Sequence, residues 1–286
     1  MRERLEPVRE EITTADGRKI VASFFHPQGE ASGLVLIVPA IGASQDYYAQ
    51  FAAWLAAQGF VAATFDYRGM GLSRPRSLRG FDADILDWAR LDCGAMVDAI
   101  SARAPGKPLY WIGHSLGGQI LPMVPNRDRI SKVVTVACGS GYWRENAWPL
   151  RRRVWWLWYV LEPLTVRLFG YFPGRHLRKV GDLPRGVIEQ WRRWCLDPEY
   201  AVGAEQGVRA QFAAVRTPIV SISFSDDEFM SKRNTESIHG FYVNAPRTMK
   251  RIAPKEIGAR RIGHFGFFRP EHESSLWRAH LLPELR

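Results

Sequence analysis

Short runs of the chain are apolar at nearly every position and bounded by glycine, proline or charge: "GLVLIVPA" (Gly33–Ala40), "FVAATFD" (Phe60–Asp66), "PLYWIG" (Pro108–Gly113), "KVVTVAC" (Lys132–Cys138) and Pro218–Phe224. Runs of this length, rich in Val and Ile and without alternation, predict strands buried on both faces. Between them the apolar positions spread to helical spacing, over Asp46–Gln58 with Gly59 as the stop, over residues 82–103, from Leu116 towards Met123, and after Ser231. Residues 8–26 alternate around "ADG" and predict a hairpin; Arg247–Ala253 predicts a last strand and residues 271–285 a closing helix. Strands alternating with helices mean repeated βαβ units, hence a mostly parallel sheet with helices on both faces: an α/β fold.

The rhythm breaks between Ser140 and Val215. This stretch holds seven of the eleven tryptophans, with twelve Arg/Lys against seven Asp/Glu, and shows no clear strand. It is too apolar for a linker and too long for a plain loop, so it predicts a helical insertion. The expected division is a core in two parts, residues 1–139 and 216–286, around an inserted unit at 140–215.

At 286 residues and 46% hydrophobic, the chain has material for one sizeable core. Its net charge of +10 raises a nucleic-acid or anionic-surface reading. No nucleic-acid module signature accompanies that charge, so no nucleic-acid partner is expected. Cys93, Cys138 and Cys195 are odd in number and widely spaced, which argues against a disulfide framework and a zinc site. The charged start "MRERLEPVREE" has no apolar stretch behind it, and "VWWLWYVLEPLTVRLF" (Val154–Phe169) is too short and too interrupted to span a bilayer. A soluble cytoplasmic protein is expected. Within that run "VWWLWYVL" (Val154–Leu161) is apolar on every side of a helix and its exposed part needs a cover, whether core, a second subunit or a lipid surface.

Against this background "GHSLGG" (Gly113–Gly118) stands out, a serine between glycines where a buried strand meets a helix. Gly-x-Ser-x-Gly in that setting is the pattern of a nucleophile elbow, whose glycines let neighbouring chain pass close to a strained serine. A serine hydroxyl needs a base, and the base a carboxylate. His264, in the small-residue loop "RRIGHFGFF" behind the last strand, is the candidate base. His114, beside the serine, is expected to pack against the sheet. For the acid, "ISFSDDEF" ends a strand in carboxylates, and Asp226 and Asp227 both qualify. Backbone N–H groups of Leu116 and Ile41 are the expected oxyanion donors, the second from the loop "PAIGAS".

The elbow, the loop "DYRGMGLS" (Asp66–Ser73), "SDDEF" and the late "GHFGFF" fall in the order Ser, Asp, His, and the chain resembles an α/β-hydrolase. More narrowly, "GYWRENAWP", "FGYFPGR", "EQWRRWC" and "IGHFGFFR" are similar to bacterial predicted α/β-hydrolases of the serine aminopeptidase S33-like kind, a group without a settled substrate. The resemblance implies Asp227 as the acid, with Phe229 and Met230 as the apolar pair that follows it. It implies a cap made by the insertion, a Ser115–His264–Asp227 triad, and no cofactor or metal. The family's usual His-Gly in the oxyanion loop is replaced by Pro39-Ala40, and Pro122 and Pro125 are expected to shorten the helix behind the elbow.

A serine at the elbow points to acyl transfer. The leading expectation is a carboxylic ester hydrolase for a hydrophobic substrate; the alternatives are a thioesterase or acyltransferase for a carrier such as acyl-CoA, and a binding protein on a hydrolase scaffold. In the carrier reading, Arg144, Arg151, Arg152 and Arg153 could pair with a carboxylate or phosphate.

Overall fold

Strand β3 (Gly33–Val38) is buried at all six positions, as its unbroken apolar run requires. The computed structural model describes residues 6–177 and 180–286. The first five residues of the charged N-terminal stretch, and the basic pair Arg178-Lys179 of the insertion, lie outside the described residues. Around β3 stand β1 (Val8–Thr13), β2 (Lys19–Phe25), β4 (Phe60–Phe65), β5 (Leu109–His114) and β6 (Ile130–Val136). A two-residue pair, β7 (Tyr171–Phe172) and β8 (Leu183–Pro184), precedes β9 (Ile219–Phe224) and β10 (Arg247–Ile252). Eight strands make one sheet in the order β1-β2-β4-β3-β5-β6-β9-β10. From β4 to β10 every pairing is parallel, and β2 alone runs against its neighbours.

Alternation along the strands feeds two cores. Leu34, Leu36, Val38, Val61, Ala63 and Phe65 face one; Val35, Ile37, Ala62, Ile112 and Val134 face the other. The second core is closed by Phe51, Trp54 and Leu55 of the helix Ala49–Ala57 and by Leu276, Trp277 and Leu281 near the C-terminus. The first takes Trp88, Cys93, Met96 and Val97 from a helix that runs unbroken from Ile85 to Ser101, its middle turn widened to π over Trp88–Cys93. Each such side chain contributes about 1.5–3 kcal/mol by burial.

The stretch 140–215 shares this first core, through Val154, Trp158, Trp194 and Tyr200. It is mainly helical, as its pattern predicts. One helix runs from Trp148 to Phe169, and its turn before Pro163 widens to π over Leu157–Leu161, where the proline has no N–H to donate. A second spans Arg185–Leu196. The expectation of no strand here is corrected by the ribbon β7–β8, which pairs Tyr171 with Pro184 and Phe172 with Leu183. Two residues per strand are too few for alternation to register.

Behind β5, the helix expected to run from Leu116 to Met123 is α-helical only to Gln119 and tightens to 3₁₀ over Leu121–Met123. Pro122 and Pro125 are the cause, each removing a donor that a longer helix would use. The helix Lys232–Gly240 has the reverse fortune: Ser231 and Asn234 cap it reciprocally, the Asn234 backbone N–H donating to Ser231 Oγ at 3.1 Å and the Ser231 N–H to Asn234 Oδ1 at 3.0 Å. Asn234 Nδ2 also donates to the carbonyl of Ser140 at 2.8 Å, anchoring the start of the inserted stretch.

Candidate active site

Ser115 sits where β5 gives way to the helix at Leu116, with φ 50° and ψ −113°. A non-glycine residue at positive φ carries strain of roughly 1–3 kcal/mol, held in place by its surroundings. Here the surroundings are glycines packed too closely on their neighbours for a side chain. A Cβ on Gly117 would lie 2.2 Å from the carbonyl oxygen of Val38, and one on Gly113 2.5 Å from the carbonyl oxygen of Gly117. On Gly118 it would meet the sulfur of Cys138 at 2.9 Å. The Ser115 N–H is tied to the carbonyl of Val136 at 2.9 Å, so the turn is fixed against β6.

His264 and Asp227 are brought together. Nδ1 of His264 lies 2.9 Å from Oδ2 of Asp227 and 3.1 Å from Oδ1, with both side chains buried. A carboxylate only accepts, so Nδ1 carries a proton, and in the neutral imidazole Nε2 is then the lone-pair nitrogen. Asp227 is itself held from behind: the N–H groups of Phe229 and Met230 both donate to its Oδ1 at 2.8 Å.

The neighbouring carboxylates have a different task. Asp226 Oδ2 accepts from the N–H of Ile262 at 2.8 Å and of Gly263 at 3.1 Å, and Glu228 Oε2 accepts from the N–H of His264 at 3.0 Å. The acidic run after β9 thus grips the histidine loop by its backbone on either side of the carboxylate that touches the ring. The residues alone left both Asp226 and Asp227 open, because adjacent residues of one type differ only in which way the turn sends them; the choice of Asp227 came from the family resemblance.

A further chain of bonds was not anticipated. The Ala40 N–H donates to the Tyr48 hydroxyl at 3.0 Å, and that hydroxyl lies 2.8 Å from Nδ1 of His114. Nε2 of His114 lies 3.0 Å from the carbonyl oxygen of His264. With the hydroxyl donating to Nδ1, Nε2–H donates to that carbonyl, and the imidazole is neutral. Burial drives the His114 pKa well below that of a free imidazole, and the nearby His264 adds to the effect. His114 packs in the core as expected, yet it also joins the loop of Ile41 to the loop of His264. The sequence signal was its adjacency to Ser115; nothing in "DYYAQF" singles out Tyr48.

The loop Pro39–Ser44 is pinned on its other flank. Gln45 donates from its backbone N–H to Asp66 Oδ1 and from Nε2 to Oδ2, each at 2.8 Å. Gly42 is at φ 78°, and a Cβ there would come within 2.7 Å of the backbone nitrogen of Gly181, in the inserted stretch. Leu116 is the first helical residue, so its N–H has no carbonyl partner a turn earlier within the helix.

Ser115, His264 and Ile41 line one cavity of about 460 Å³. Its other walls are mostly apolar: Leu150, Val154, Trp158 and Trp191 from the inserted stretch, Phe229 and Met230 from the acidic turn. The apolar pair therefore serves twice, orienting Asp227 through backbone and shaping the cavity through side chains. Arg144, Arg151, Arg152 and Arg153 are not among the lining residues; all four are exposed. Among the described residues no group of three or more His, Cys, Asp or Glu is placed to hold a metal ion, and no helix is long and apolar enough to cross a membrane.

A family model described as serine aminopeptidase, S33, matches residues 29–178. No protein with a curated description matches the sequence. Solved structures with the same fold include a soluble variant of monoglyceride lipase from Saccharomyces cerevisiae in complex with a substrate analogue, 18% identical, covering 87% of this chain and 86% of that one with a TM-score of 0.64. The esterase Pf2001 of Pyrococcus furiosus is 16% identical over 98% of this chain and 90% of its own, with a TM-score of 0.62. A highly thermostable carboxyl esterase from Bacillus coagulans, in complex with glycerol, is 14% identical over 86% of this chain and 90% of its own, at 0.55.

Proposed function

The chain belongs to the serine aminopeptidase S33 family within the α/β-hydrolases, and from that premise we propose that it is a serine hydrolase cleaving carboxylic esters of apolar acyl groups. The observation that carries the reading is the His264–Asp227 pair, 2.9 Å apart, beside the strained Ser115 on one apolar cavity. Ser115 Oγ attacks the acyl carbonyl while Nε2 of His264 takes its proton, and Asp227 holds Nδ1–H and the imidazolium that forms. The N–H groups of Ile41 and Leu116 receive the oxyanion, each worth roughly 3–4 kcal/mol in the transition state. Departure of the alcohol, protonated by His264, leaves an acyl-enzyme. Water, deprotonated by the same nitrogen, then releases the acid and restores Ser115.

Residues 140–215 act as a cap in this reading, since they supply the apolar walls that would receive the acyl chain. The monoglyceride lipase and the two esterases that share the fold support ester chemistry. A carrier thioester would react by the same steps, but the arginines expected to hold its phosphates face away from the cavity. Three free, buried cysteines suit a reducing compartment such as the cytoplasm.

Labelling by a fluorophosphonate probe tests the proposal. The wild-type chain should label, Ser115→Ala should not, and Asp227→Asn and His264→Ala should label far more slowly. A folded wild-type protein that stays unlabelled, and turns over neither short nor long acyl esters, would end it.

A further inference from the structure

The helix from Trp148 to Phe169 has two dissimilar faces. Leu150, Val154 and Trp158 turn towards the cavity that holds Ser115. On the opposite side Trp148, Arg152, Trp155 and Tyr159 follow at spacings of four, three and four, a single stripe of a helix. That stripe stands in solvent: Trp148 is 67% exposed, Trp155 48% and Tyr159 54%, and Trp156 beside it 46%. Arg151, Arg152, Arg153 and Arg167 are exposed along the same helix, with Arg144 just ahead of it. Among the described residues none of these five has a carboxylate within ion-pair distance, whereas Arg185, Arg192 and Arg193 of the next long helix all do. Arg152 lies instead 4.9 Å from the ring centre of Trp148, and Arg144 5.2 Å from that of Trp143.

Neither half of this pattern serves the fold. Large rings in water cost hydrophobic free energy, and clustered unpaired arginines repel one another. The two together match one environment. Tryptophan and tyrosine rings settle at the boundary between headgroup and acyl chain, and arginine stems lie along apolar surface while their charge reaches lipid phosphate. A second copy of the chain on this face would set the arginine cluster against its own image across a two-fold axis. An anionic bilayer offers the opposite charge and an apolar layer at the right depth.

We propose that the outer face of the helix Trp148–Phe169 docks on an anionic lipid surface, which brings the cavity on its inner face to membrane-borne esters. The second clause rests on the proposed ester chemistry; the docking does not.

Binding is measured by co-sedimentation of the full chain carrying Ser115→Ala, so that turnover plays no part, with vesicles of phosphatidylcholine alone or mixed with phosphatidylglycerol. The expected result is binding to the mixed vesicles that weakens with salt. Binding should be at least about tenfold weaker when Arg151, Arg152 and Arg153 are all changed to Gln, and again with Trp155→Ser plus Trp156→Ser. Circular dichroism melting checks that the variants fold. Should the double tryptophan variant not fold, Trp148→Ser, the most exposed of the set, takes its place. Wild-type-like binding by the folded variants would overturn the proposal, as would no binding of the parent to phosphatidylglycerol vesicles. A concentration-dependent dimer lost with the tryptophans, in a chain that ignores vesicles, would assign the face to a second copy instead. A chain that docks but hydrolyses no ester would keep the docking and lose the ester reading.

Discussion

Nε2 of His114 and the carbonyl oxygen of His264 are 3.0 Å apart, so the residue before the elbow serine holds the backbone of the candidate base. On its far side the same imidazole meets Tyr48, whose hydroxyl takes the N–H of Ala40. One neutral side chain thus spans from the loop of Ile41, the proposed oxyanion donor, to the histidine loop, and in the proposed mechanism the separation of these two loops sets where a tetrahedral intermediate would sit.

Tyr48→Phe removes only an oxygen, yet it leaves Nδ1 of His114 and the N–H of Ala40 without their buried partner. Each unsatisfied group costs about 1–3 kcal/mol, so urea unfolding should show a loss of roughly 2–6 kcal/mol. If these bonds also align the two loops for the proposed ester chemistry, kcat for a soluble ester should fall while KM holds. A variant as stable and as active as the wild type would show that the hydroxyl is replaceable.

Glycine positions differ sharply in what they tolerate, according to what lies beside them. Gly117→Ala drives a Cβ to 2.2 Å from the Val38 carbonyl oxygen and should cost more than about 3 kcal/mol, or prevent folding. Gly29→Ala meets nothing within 4 Å and has no positive φ, so its thermal midpoint should stay level or rise slightly. Ser115→Gly gives the complementary result: relief of the positive φ should make it about 1–2 kcal/mol more stable than Ser115→Ala.

Much of this was legible in the sequence, for reasons that also mark where reading stopped. Strands such as β3 and β9 are buried on both faces, so their apolar runs announce a parallel sheet whatever surrounds them. "GHSLGG" is legible because Gly113 and Gly117 press against backbone, a closeness that only glycine permits. Tyr48 was invisible because its role depends on a fold-wide meeting with His114, 66 residues away in sequence. The outward turn of Arg151, Arg152 and Arg153 was equally hidden: a helix apolar on all sides does not declare which side meets the core until Val154 and Trp158 are seen packed there.

His239 supplies a pH dependence outside the candidate site. It is fully buried, with Nδ1 2.7 Å from the Thr235 carbonyl oxygen and Nε2 2.9 Å from the Thr135 hydroxyl, and burial lowers its pKa to about 4. An unfolded histidine binds its proton near 6.5, so below that pH the unfolded state holds more protons and stability falls as pH falls. His239→Gln removes this one titration. Its unfolding free energy relative to wild type should therefore improve by about 1.4 kcal/mol per pH unit from 6.5 down to 4. A constant difference across that range would mean the imidazole is charged in the folded chain.

Asp226 and Asp227 separate two kinds of dependence on a carboxylate. Asp227 faces the imidazole, and an amide there can offer Nδ1 a donor where an acceptor is needed, favouring the wrong tautomer; Asp227→Asn should cost about 10⁴-fold in kcat on an ester. Asp226 faces only the N–H groups of Ile262 and Gly263, which an amide oxygen can still accept, so Asp226→Asn should remain within about tenfold of wild type. Its loss should appear instead as lower stability of the histidine loop, read as faster hydrogen exchange at those two amides. Equal losses of kcat in both variants would place the two carboxylates in one functional unit and remove the division drawn here between the acid that orients the ring and the acid that holds its backbone.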